Sequence, residues 1–360
     1  MGRILIVTYD EYRNISYVEK YEKSILDHAK EYDIILWDRS GDQKCDASNH
    51  IVFSGMNRRS KLLKIIPFLR WRRLVKRQLK KVQYDRLIVL TTIPAVLLAD
   101  VLLFKYAKRY WLDVRDYTYE HIGLYHKIVK KLVERSAGTS ISSPGFYSFI
   151  PRRDNVYLTH NITNTSARKK ECTLDVEHTP ILIGFVGGVQ YPEENKRLCM
   201  QLNNHPRYSL RYVGKVHPGC DLRGFCAKIH MTNVEFLPPY ENRQKPAIYD
   251  RIDLINSVYG ASTPVTRIAL PNRLYDAALY KKPILVSKGT LLSQIVESNS
   301  MGLAIDTQEA DLAGKLDAYL QQFDRDAFVK GCDAFLSGVI RDEEQMKMKI
   351  DEFVDEKYEE

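Results

Sequence analysis

One stretch of the chain, residues 268–288, constrains the fold more than any other because a loop, a helix and a strand follow one another within it. Pro271 fixes the backbone just before Asn272, which is a natural N-cap, and Leu274 and two alanines then recur at helical spacing. Pro283 ends this helix, and the short apolar run after it is typical of a buried parallel strand. The pattern therefore predicts a helix that begins at the rim of a parallel sheet.

Two charged residues, Arg273 and Asp276, fall in the first turn of this helix. The rim of a parallel sheet is where α/β proteins bind nucleotides. An arginine there can donate two hydrogen bonds to a phosphate, and an acid one helical turn later can accept from ribose hydroxyls. An ion pair between the two side chains is the competing interpretation.

The run at residues 270–284, LPNRLYDAALYKKPI, resembles the donor-site signature of GT-B glycosyltransferases, particularly glycosyltransferase family 4. That signature has a proline, a basic residue two positions on, an acid three positions later and a small-residue helix ending in Gly-x-Pro. In this chain the acid is Asp276 rather than Glu, and Lys281 replaces the glycine. Ile268 stands where the family has a second acid that holds the donor sugar. The resemblance implies two Rossmann-like α/β domains facing a central cleft.

Length and composition agree with such a chain. Its 360 residues, 44% hydrophobic and 28% charged, suit two globular domains that each bury a core. No apolar run reaches the ~18 residues of a membrane-spanning helix. The N-terminal residues lack the features of a signal peptide, and the six cysteines show neither C-x-x-C nor zinc-ligand spacing. We therefore expect a reduced, cytoplasmic protein.

Positive charge is concentrated in the first half of the chain. Residues 1–170 carry a net charge of +15 and the remainder −6, and residues 47–84 contain eleven Lys or Arg and no acid. From Pro67, five apolar residues recur at helical spacing. These are Phe68, Trp71, Val75, Leu79 and Val82. The stripe can simply pack on a sheet, but so many like charges repel one another unless an anionic surface lies nearby.

We therefore predict that residues 58–81 face an anionic membrane surface, which would make the protein peripheral on the inner face of the membrane. A nucleic-acid footprint is the competing explanation of the charge. No recognisable nucleic-acid-binding module accompanies it, so we expect no nucleic-acid partner.

The opening strand, helix and strand, residues 3–37, resemble the start of a Rossmann-like domain without the G-x-G-x-x-G of dinucleotide enzymes. A later strand, residues 109–114, leads into Asp113, Arg115 and Asp116, at the edge of the sheet where ligands bind. Similar D-x-R-D runs occur near the cleft in some family 4 enzymes, which implies an acceptor-side role for these three residues. A self-satisfied network of the same charges is the alternative.

His121 lies five residues beyond Asp116, in the region where related enzymes place a cleft histidine. The resemblance therefore makes both residues catalytic candidates, although a single histidine can also be structural. Residues 163–179 are polar and charged, as in a linker. We divide the chain into an N-terminal domain (1–168), a donor-binding domain (169–340) and an acidic C-terminal helix (341–360). In GT-B proteins the last helix often crosses back onto the N-terminal domain; a solvated helix is the alternative here.

The second domain begins with a strand, residues 180–186, that runs into Gly187 and Gly188. Glycines at a strand-to-helix turn let a phosphate approach backbone N–H groups, and the helix near Pro192 directs its dipole at that anion. This loop resembles the first loop of the GT-B donor domain, with Lys196 matching a family lysine. A tight turn without a ligand is the simpler alternative.

Further donor-site candidates follow. Lys215 ends the second strand of this domain, and Tyr240 follows the third, in a loop that lies beside the nucleobase in the family. Arg267 can also meet phosphate, as can Arg273. The predicted donor-binding residues are thus Gly187, Gly188, Lys196, Lys215, Tyr240, Arg267, Asn272, Arg273 and Asp276.

These features predict a glycosyltransferase that moves a sugar from a nucleoside diphosphate to a lipid-linked saccharide acceptor in surface polysaccharide biosynthesis, such as that of a capsule. Arg273 would stabilise the leaving diphosphate electrostatically. The family resemblance implies retention of configuration. The sequence has no D-x-D metal-binding motif at a suitable loop, so we expect neither a metal nor another cofactor. A nucleotide-sugar epimerase of the same fold and a non-catalytic binding subunit are the alternatives.

Overall fold

The computed structural model describes residues 2–39, 47–55, 65–162, 171–217 and 219–356. The chain divides into two compact units, Met1–Thr163 with Arg341–Glu360, and Asn164–Ile340. In the described residues each unit contains one wholly parallel sheet covered by helices. The predicted pair of Rossmann-like α/β domains is therefore confirmed.

In the first unit, the strands among the described residues form a seven-stranded sheet of order β3-β2-β1-β4-β5-β6-β7. They are β1 (Arg3–Val7), β2 (Glu31–Asp38), β3 (His50–Ser54), β4 (Arg86–Leu90), β5 (Tyr110–Val114), β6 (Gly138–Ile141) and β7 (Val156–Leu158). The helices are α1 (Glu19–Asp27), α2 (Ile65–Lys81), α3 (Thr92–Leu97), a π-helix (Val101–Lys105) and α4 (Gly123–Arg135), with short 3₁₀ turns at Tyr12–Asn14, Ser16–Val18 and Pro144–Ser148. The strand order changes direction between β1 and β4, and sheets of this kind usually bind ligands at the carboxyl ends of the strands at such a point.

The apolar stripe predicted for α2 is present. Trp71, Val75 and Leu79 are buried, and Phe68 packs edge-on against Trp37 of β2 with 5.0 Å between ring centroids. The stripe therefore fixes the helix to the sheet, and the basic residues between its members are left toward solvent. Four of the predicted membrane-facing residues, Arg58, Arg59, Lys61 and Lys64, lie outside the described residues.

In the second unit, the described strands form a six-stranded sheet of order β10-β9-β8-β11-β12-β13. They are β8 (Ile181–Val186), β9 (Tyr208–Val213), β10 (Val234–Leu237), β11 (Leu254–Ser257), β12 (Ile284–Ser287) and β13 (Gly302–Ile305). The helices are α5 (Pro192–Gln201), α6 (Leu222–Lys228), α7 (Lys245–Tyr249), α8 (Pro264–Ile268), α9 (Asn272–Tyr280), α10 (Leu291–Ser298) and α11 (Leu312–Gln321), with a 3₁₀ turn at Asn242–Gln244. The direction changes between β8 and β11, so the equivalent ligand edge lies at β8 and its neighbours.

A last helix, α12 (Arg325–Asp355), contributes to both units, because the first unit includes the chain from Arg341 onward. Met346, Ile350 and Phe353 belong to the apolar core beneath the first sheet. Glu343 accepts a hydrogen bond from Lys20 Nζ at 2.6 Å and another from the hydroxyl of Thr159 at 2.9 Å. This end of the helix is therefore held by both apolar and ionic contacts.

Helix α9 is the one predicted around residue 272, but its cap differs from the prediction. Pro271 is the N-cap, with extended backbone (φ −78°, ψ 156°), and Asn272 is the first helical residue. The predicted capping role of Asn272 is therefore wrong. At the other end Lys281 has left-handed backbone (φ 50°, ψ 49°), the conformation that the family's glycine favours. Its ammonium group is 2.7 Å from Asp333, so this lysine is a buried ion-pair partner.

Candidate functional site

The carboxyl edge of the second sheet is shaped by two glycines. Gly187 follows β8 with φ +127°, and Gly214 follows β9 with φ +134°. A Cβ on Gly214 would lie 2.0 Å from the carbonyl oxygen of Gly187, and a Cβ on Gly187 would lie 3.1 Å from Arg273 Nη1. Side chains at either position would therefore displace the backbone or the arginine. The glycines bring backbone and guanidinium together at one point.

Arg273 is the cation at this point, and it is 8% exposed. Its Nη1 donates to the carbonyl oxygen of Val186 at 2.7 Å, and its Nη2 donates to the hydroxyl of Tyr259. The guanidinium lies 3.8 Å from the centre of the Phe185 ring. These partners are neutral, and the described residues place no carboxylate within ion-pair distance of this side chain. Arg273 therefore carries a buried positive charge without a compensating anion.

Asp276 lies one turn further along α9 and does not pair with Arg273. Lys245 Nζ is 3.0 Å from its Oδ2 and 3.2 Å from its Oδ1, and the hydroxyl of Tyr249 donates to Oδ2 at 2.8 Å. The helix α7 that supplies both partners was not singled out from the sequence. The carboxylate of Asp276 retains lone pairs that can accept a hydrogen bond from a ribose hydroxyl. The ribose contact stays a prediction.

Tyr240 lies near these charges. Burial, and then the negative charge of Asp276, raise the pKa of Tyr240 to about 12, while Arg273 opposes the shift. The phenol is therefore neutral at physiological pH and can donate a hydrogen bond. This placement is compatible with the predicted base contact, which no observation tests.

Lys215 is exposed beside a cavity of about 370 Å³ at the ends of β9 and β10. Gly214, Pro238 and Pro239 line the same cavity. Its volume and position suit a flat ring between the two strand ends. The sequence had indicated Lys215 and the loop that contains Tyr240, but the cavity between them depends on the strand order.

The other predicted donor-site residues do not gather around Arg273, and most of them are exposed or already paired. Lys196, on α5, pairs with Glu193 at 3.2 Å. Arg267 is exposed and donates from Nε to the carbonyl oxygen of Ala261 at 2.7 Å. Asn272 and Gly188 are exposed. Lys196 therefore contributes less uncompensated charge than Arg273 does.

In the first unit, Asp113 and Arg115 satisfy one another. Arg115 donates to both carboxylate oxygens of Asp113 at 2.8–3.0 Å, and its Nη1 donates to Asn161 at 3.0 Å. The hydroxyl of Tyr21 also donates to Asp113, at 2.8 Å. Burial opposes ionisation, but the charge of Asp113 holds the pKa of Arg115 above its ordinary value. Asp113 has no exposed surface, so it positions Arg115 and cannot contact an acceptor in this conformation.

Asp116 and a residue not predicted from the sequence, Asp10, lie at the carboxyl ends of β5 and β1. Burial raises the pKa of both carboxyl groups. Arg39 opposes the shift at Asp10 and Arg115 opposes it at Asp116, while neighbouring acids, including Asp116 in the case of Asp10, add to it. Arg39 lies 3.9 Å from Asp10 and stacks over Tyr9 at 4.6 Å. The Tyr-Asp pair directly after the first strand was the sequence signal that could have identified this group.

His121 is exposed at the same end of the unit. Its ring lies 6.3 Å from that of Tyr117 and 6.4 Å from that of Tyr119. It is not buried by neighbours, so it is available to a ligand, and its catalytic role remains a prediction.

Two further properties bear on function. The described residues contain no group of three or more His, Cys, Asp or Glu side chains arranged to hold a metal ion. In the same part of the chain, no helix combines the length and the apolar character needed to cross a membrane.

No protein-family model matches the chain, and a search of curated proteins found no match. Solved structures do. Sucrose-phosphate synthase from Thermosynechococcus elongatus aligns with 97% of this chain and 98% of its own, at a TM-score of 0.72 and 12% identity. HepE from Anabaena, in complex with UDP-glucose, aligns with 97% of this chain and 99% of its own, at a TM-score of 0.66 and 14% identity. WaaG, a glycosyltransferase involved in lipopolysaccharide biosynthesis, aligns with 98% of this chain and 99% of its own, at a TM-score of 0.63 and 11% identity.

These likenesses extend over nearly the whole chain and establish its fold as that of the GT-B glycosyltransferases. The predicted resemblance is thereby confirmed at the level of the fold.

Proposed function

We propose that the protein is a glycosyltransferase that uses a nucleoside-diphosphate sugar. The observation that carries this proposal is the buried, uncompensated charge of Arg273 beside the Gly187 turn. A diphosphate would supply the missing anion, and the guanidinium is positioned to donate to it. The UDP-glucose complex of HepE supports the same ligand class for this chain.

In the proposed reaction Arg273 stabilises the negative charge that grows on the leaving diphosphate, with the backbone amides after β8 and Lys196 assisting. An electrostatic contact of this kind contributes roughly 3–4 kcal/mol to lowering a barrier. Asp276 holds the ribose, and Tyr240 with the cavity at Lys215 borders the base. We propose retention of configuration, in which a leaving phosphate oxygen takes the acceptor proton, so no side-chain base is required. The basic residues would neutralise the diphosphate in place of a metal ion.

The acceptor side is proposed to be the first unit, where Asp10, Asp116 and His121 lie at the ligand edge of the sheet. Carboxylates accept hydrogen bonds from sugar hydroxyls and repel phosphates, so this edge suits a neutral saccharide. The basic exposed side of α2 supports peripheral association with an anionic membrane, and hence a lipid-linked acceptor. WaaG is described as involved in lipopolysaccharide biosynthesis, and a role of this chain in surface polysaccharide biosynthesis would fit such an acceptor.

A panel of nucleoside diphosphates and their sugars tests the proposal by thermal shift, followed by detection of the transferred or released sugar. One base should stabilise the protein, and Arg273→Gln should lose most of that stabilisation. Arg243→Gln is the matched control because Arg243 is 82% exposed and pairs with Glu241 at its own surface loop. Stabilisation that is equal in the two variants would remove Arg273 from the site.

The other outcomes identify the alternatives. Binding of a nucleotide sugar without hydrolysis or transfer would favour a binding subunit, for which Ile268, in place of the family's sugar-holding acid, is the motivating residue. Interconversion of the free nucleotide sugar would favour an epimerase.

A further inference from the structure

A second cavity, of about 480 Å³, lies in the first unit between helix α2 and the π-helix Val101–Lys105. Five of its lining side chains are basic and two are apolar. They are Arg73, Lys76, Arg77, Leu79, Lys80, Val101 and Lys105. The site proposed for the donor lies in the other unit and uses none of these residues.

Most of the positive charge in this cavity is uncompensated. Lys76 pairs with Asp100, which also forms an ion pair with Arg72 at 2.8 Å. Arg73, Arg77 and Lys80 have no carboxylate within ion-pair distance anywhere in the described residues. Three or more like charges around one recess repel one another and create a strongly positive potential, which an anion would relieve.

The surroundings of the cavity are apolar as well as basic. Phe104, in the π-helix between two lining residues, is 84% exposed. On α2, Ile66 and Leu69 are 42% and 43% exposed. They share a helix face with cavity residues, since the positions recur three and four apart. That face comprises Ile66, Leu69, Arg73, Lys76 and Lys80.

This combination favours a lipid over other polyanions. A free phosphate would meet the charges but would leave Phe104 and the two exposed aliphatic side chains in water. An unpaired base of a nucleic acid could stack on Phe104, but Ile66 and Leu69 would still remain in water. A bilayer presents phosphate groups directly above hydrocarbon, so one surface satisfies both the basic recess and the apolar side chains beside it.

We propose that this cavity binds the phosphate headgroup of an anionic phospholipid, with Phe104 inserted beside it at the level of the acyl chains. The inference rests on the peripheral membrane location suggested above and adds a defined site to it. General attraction would depend only on the number of charges, whereas a site depends on where they are.

The test is co-sedimentation of the full chain with vesicles of phosphatidylcholine alone or with about one quarter phosphatidylglycerol. The variant Arg73→Glu/Arg77→Glu alters the cavity. The control Arg70→Glu/Lys81→Glu has the same net charge on the same helix, and both control positions are exposed and outside the cavity.

At about 1 kcal/mol for each basic residue at an anionic surface, general attraction alone predicts a roughly thirtyfold loss of binding to the phosphatidylglycerol vesicles for either pair. A defined site predicts in addition that the cavity pair loses about tenfold more binding than the control pair does. Equal losses in the two variants, or no loss in the cavity variant, would overturn the site. If the charge reversals do not fold, the same comparison is made with glutamine at all four positions.

Phe104→Ser provides a second readout. It should weaken vesicle binding about tenfold while leaving binding to single-stranded RNA, measured by fluorescence anisotropy, unchanged. RNA that binds more tightly than the vesicles, with no effect of Phe104→Ser on the vesicles, would contradict a lipid site. Neither measurement requires sugar transfer, so failure of the donor proposal would leave this result interpretable.

Discussion

Each of the two sheets holds an arginine at its carboxyl edge, and the two arginines have opposite surroundings. Arg115 in the first unit is neutralised by Asp113, to which it donates three hydrogen bonds. Arg273 in the second unit contacts a carbonyl, a hydroxyl and an aromatic ring. The comparison teaches that burial and residue type alone do not distinguish the two arginines. What distinguishes them is whether the described residues already supply an anion, which is why Arg273 and not Arg115 is proposed to bind a phosphate.

The charge left at each edge follows from this difference. The first edge presents the carboxylates of Asp10 and Asp116, of which Asp10 lies 3.9 Å from Arg39, and the second presents the cation of Arg273. In the proposed function, hydroxyl groups would bind at the first edge and a diphosphate at the second.

The largest effect is expected at Arg115. Arg115→Met leaves Asp113 buried without its partner, which should lower the free energy of unfolding by about 3–5 kcal/mol. Urea unfolding followed by tryptophan fluorescence measures it, because the three tryptophans, at positions 37, 71 and 111, all lie in the first unit. Arg152→Met, at an exposed position of the same unit, should cost little. Equal stability of the two variants would show that the Arg115 pair contributes nothing.

At Arg273 the expected loss is catalytic. Arg273→Met should reduce kcat by about 10²–10³, because a preorganised contact to developing charge is removed. Lys196→Met should reduce it less than tenfold, since Lys196 already pairs with Glu193 and is 31% exposed. Steady-state kinetics with the nucleotide sugar found in the panel distinguishes the two. A larger effect at Lys196 would reverse the assignment.

Glu343 extends the comparison to a second compensated charge of the first unit. Although burial acts against it, Lys20 and three hydrogen bonds keep the pKa of Glu343 below its usual value. The stability that it contributes is present above the unfolded-state pKa and is lost as the pH falls through the lower, folded-state one. Glu343→Gln should therefore cost about 2 kcal/mol near neutral pH, and the difference from wild type should narrow in acid.

Glu344→Gln, at the exposed neighbouring position, is the matched control for Glu343→Gln. It should leave the unfolding midpoint unchanged at both pH values. A cost at position 343 that persists undiminished at low pH would point to packing and not to charge.

The smallest effect is expected at Asp10. Its pKa is raised, mainly by burial, so the charged form is disfavoured in the folded protein at neutral pH. Asp10→Asn should stabilise the protein by about 0.5 kcal/mol at pH 7, and this gain should disappear as the pH falls through the raised pKa and the wild type takes up its proton. If Asp10 contacts the acceptor, KM for the acceptor should rise in the same variant. Asp154→Asn, at an exposed position, should change neither quantity.

Local pattern was sufficient for most of the strands and for helix α9. The runs of β-branched residues predicted parallel strands, and the Pro271 to Pro283 segment predicted α9, since both signals are contained in adjacent residues. The cap was misassigned because Pro271 and Asn272 each suit the position, and only the backbone angles distinguish them.

Partnership between distant residues could not be predicted in this way. Lys245 neutralises Asp276 from 31 positions away, and Asp113 is fully buried by neighbours that include Tyr21. Such contacts depend on the order of strands in the sheet, and local patterns in a single sequence do not reveal that order. Lys281 shows the same limit, because its partner Asp333 lies on another helix.

Helix α12 has a consequence for synthesis of the chain. The core of the first unit includes Met346, Ile350 and Phe353, so the part that the ribosome makes first lacks a section of its interior until some of the last residues have emerged. The second unit, by contrast, is a single segment ending at Ile340. Although domains generally fold in the order of their synthesis, here the second unit can reach its final structure before the unit that precedes it.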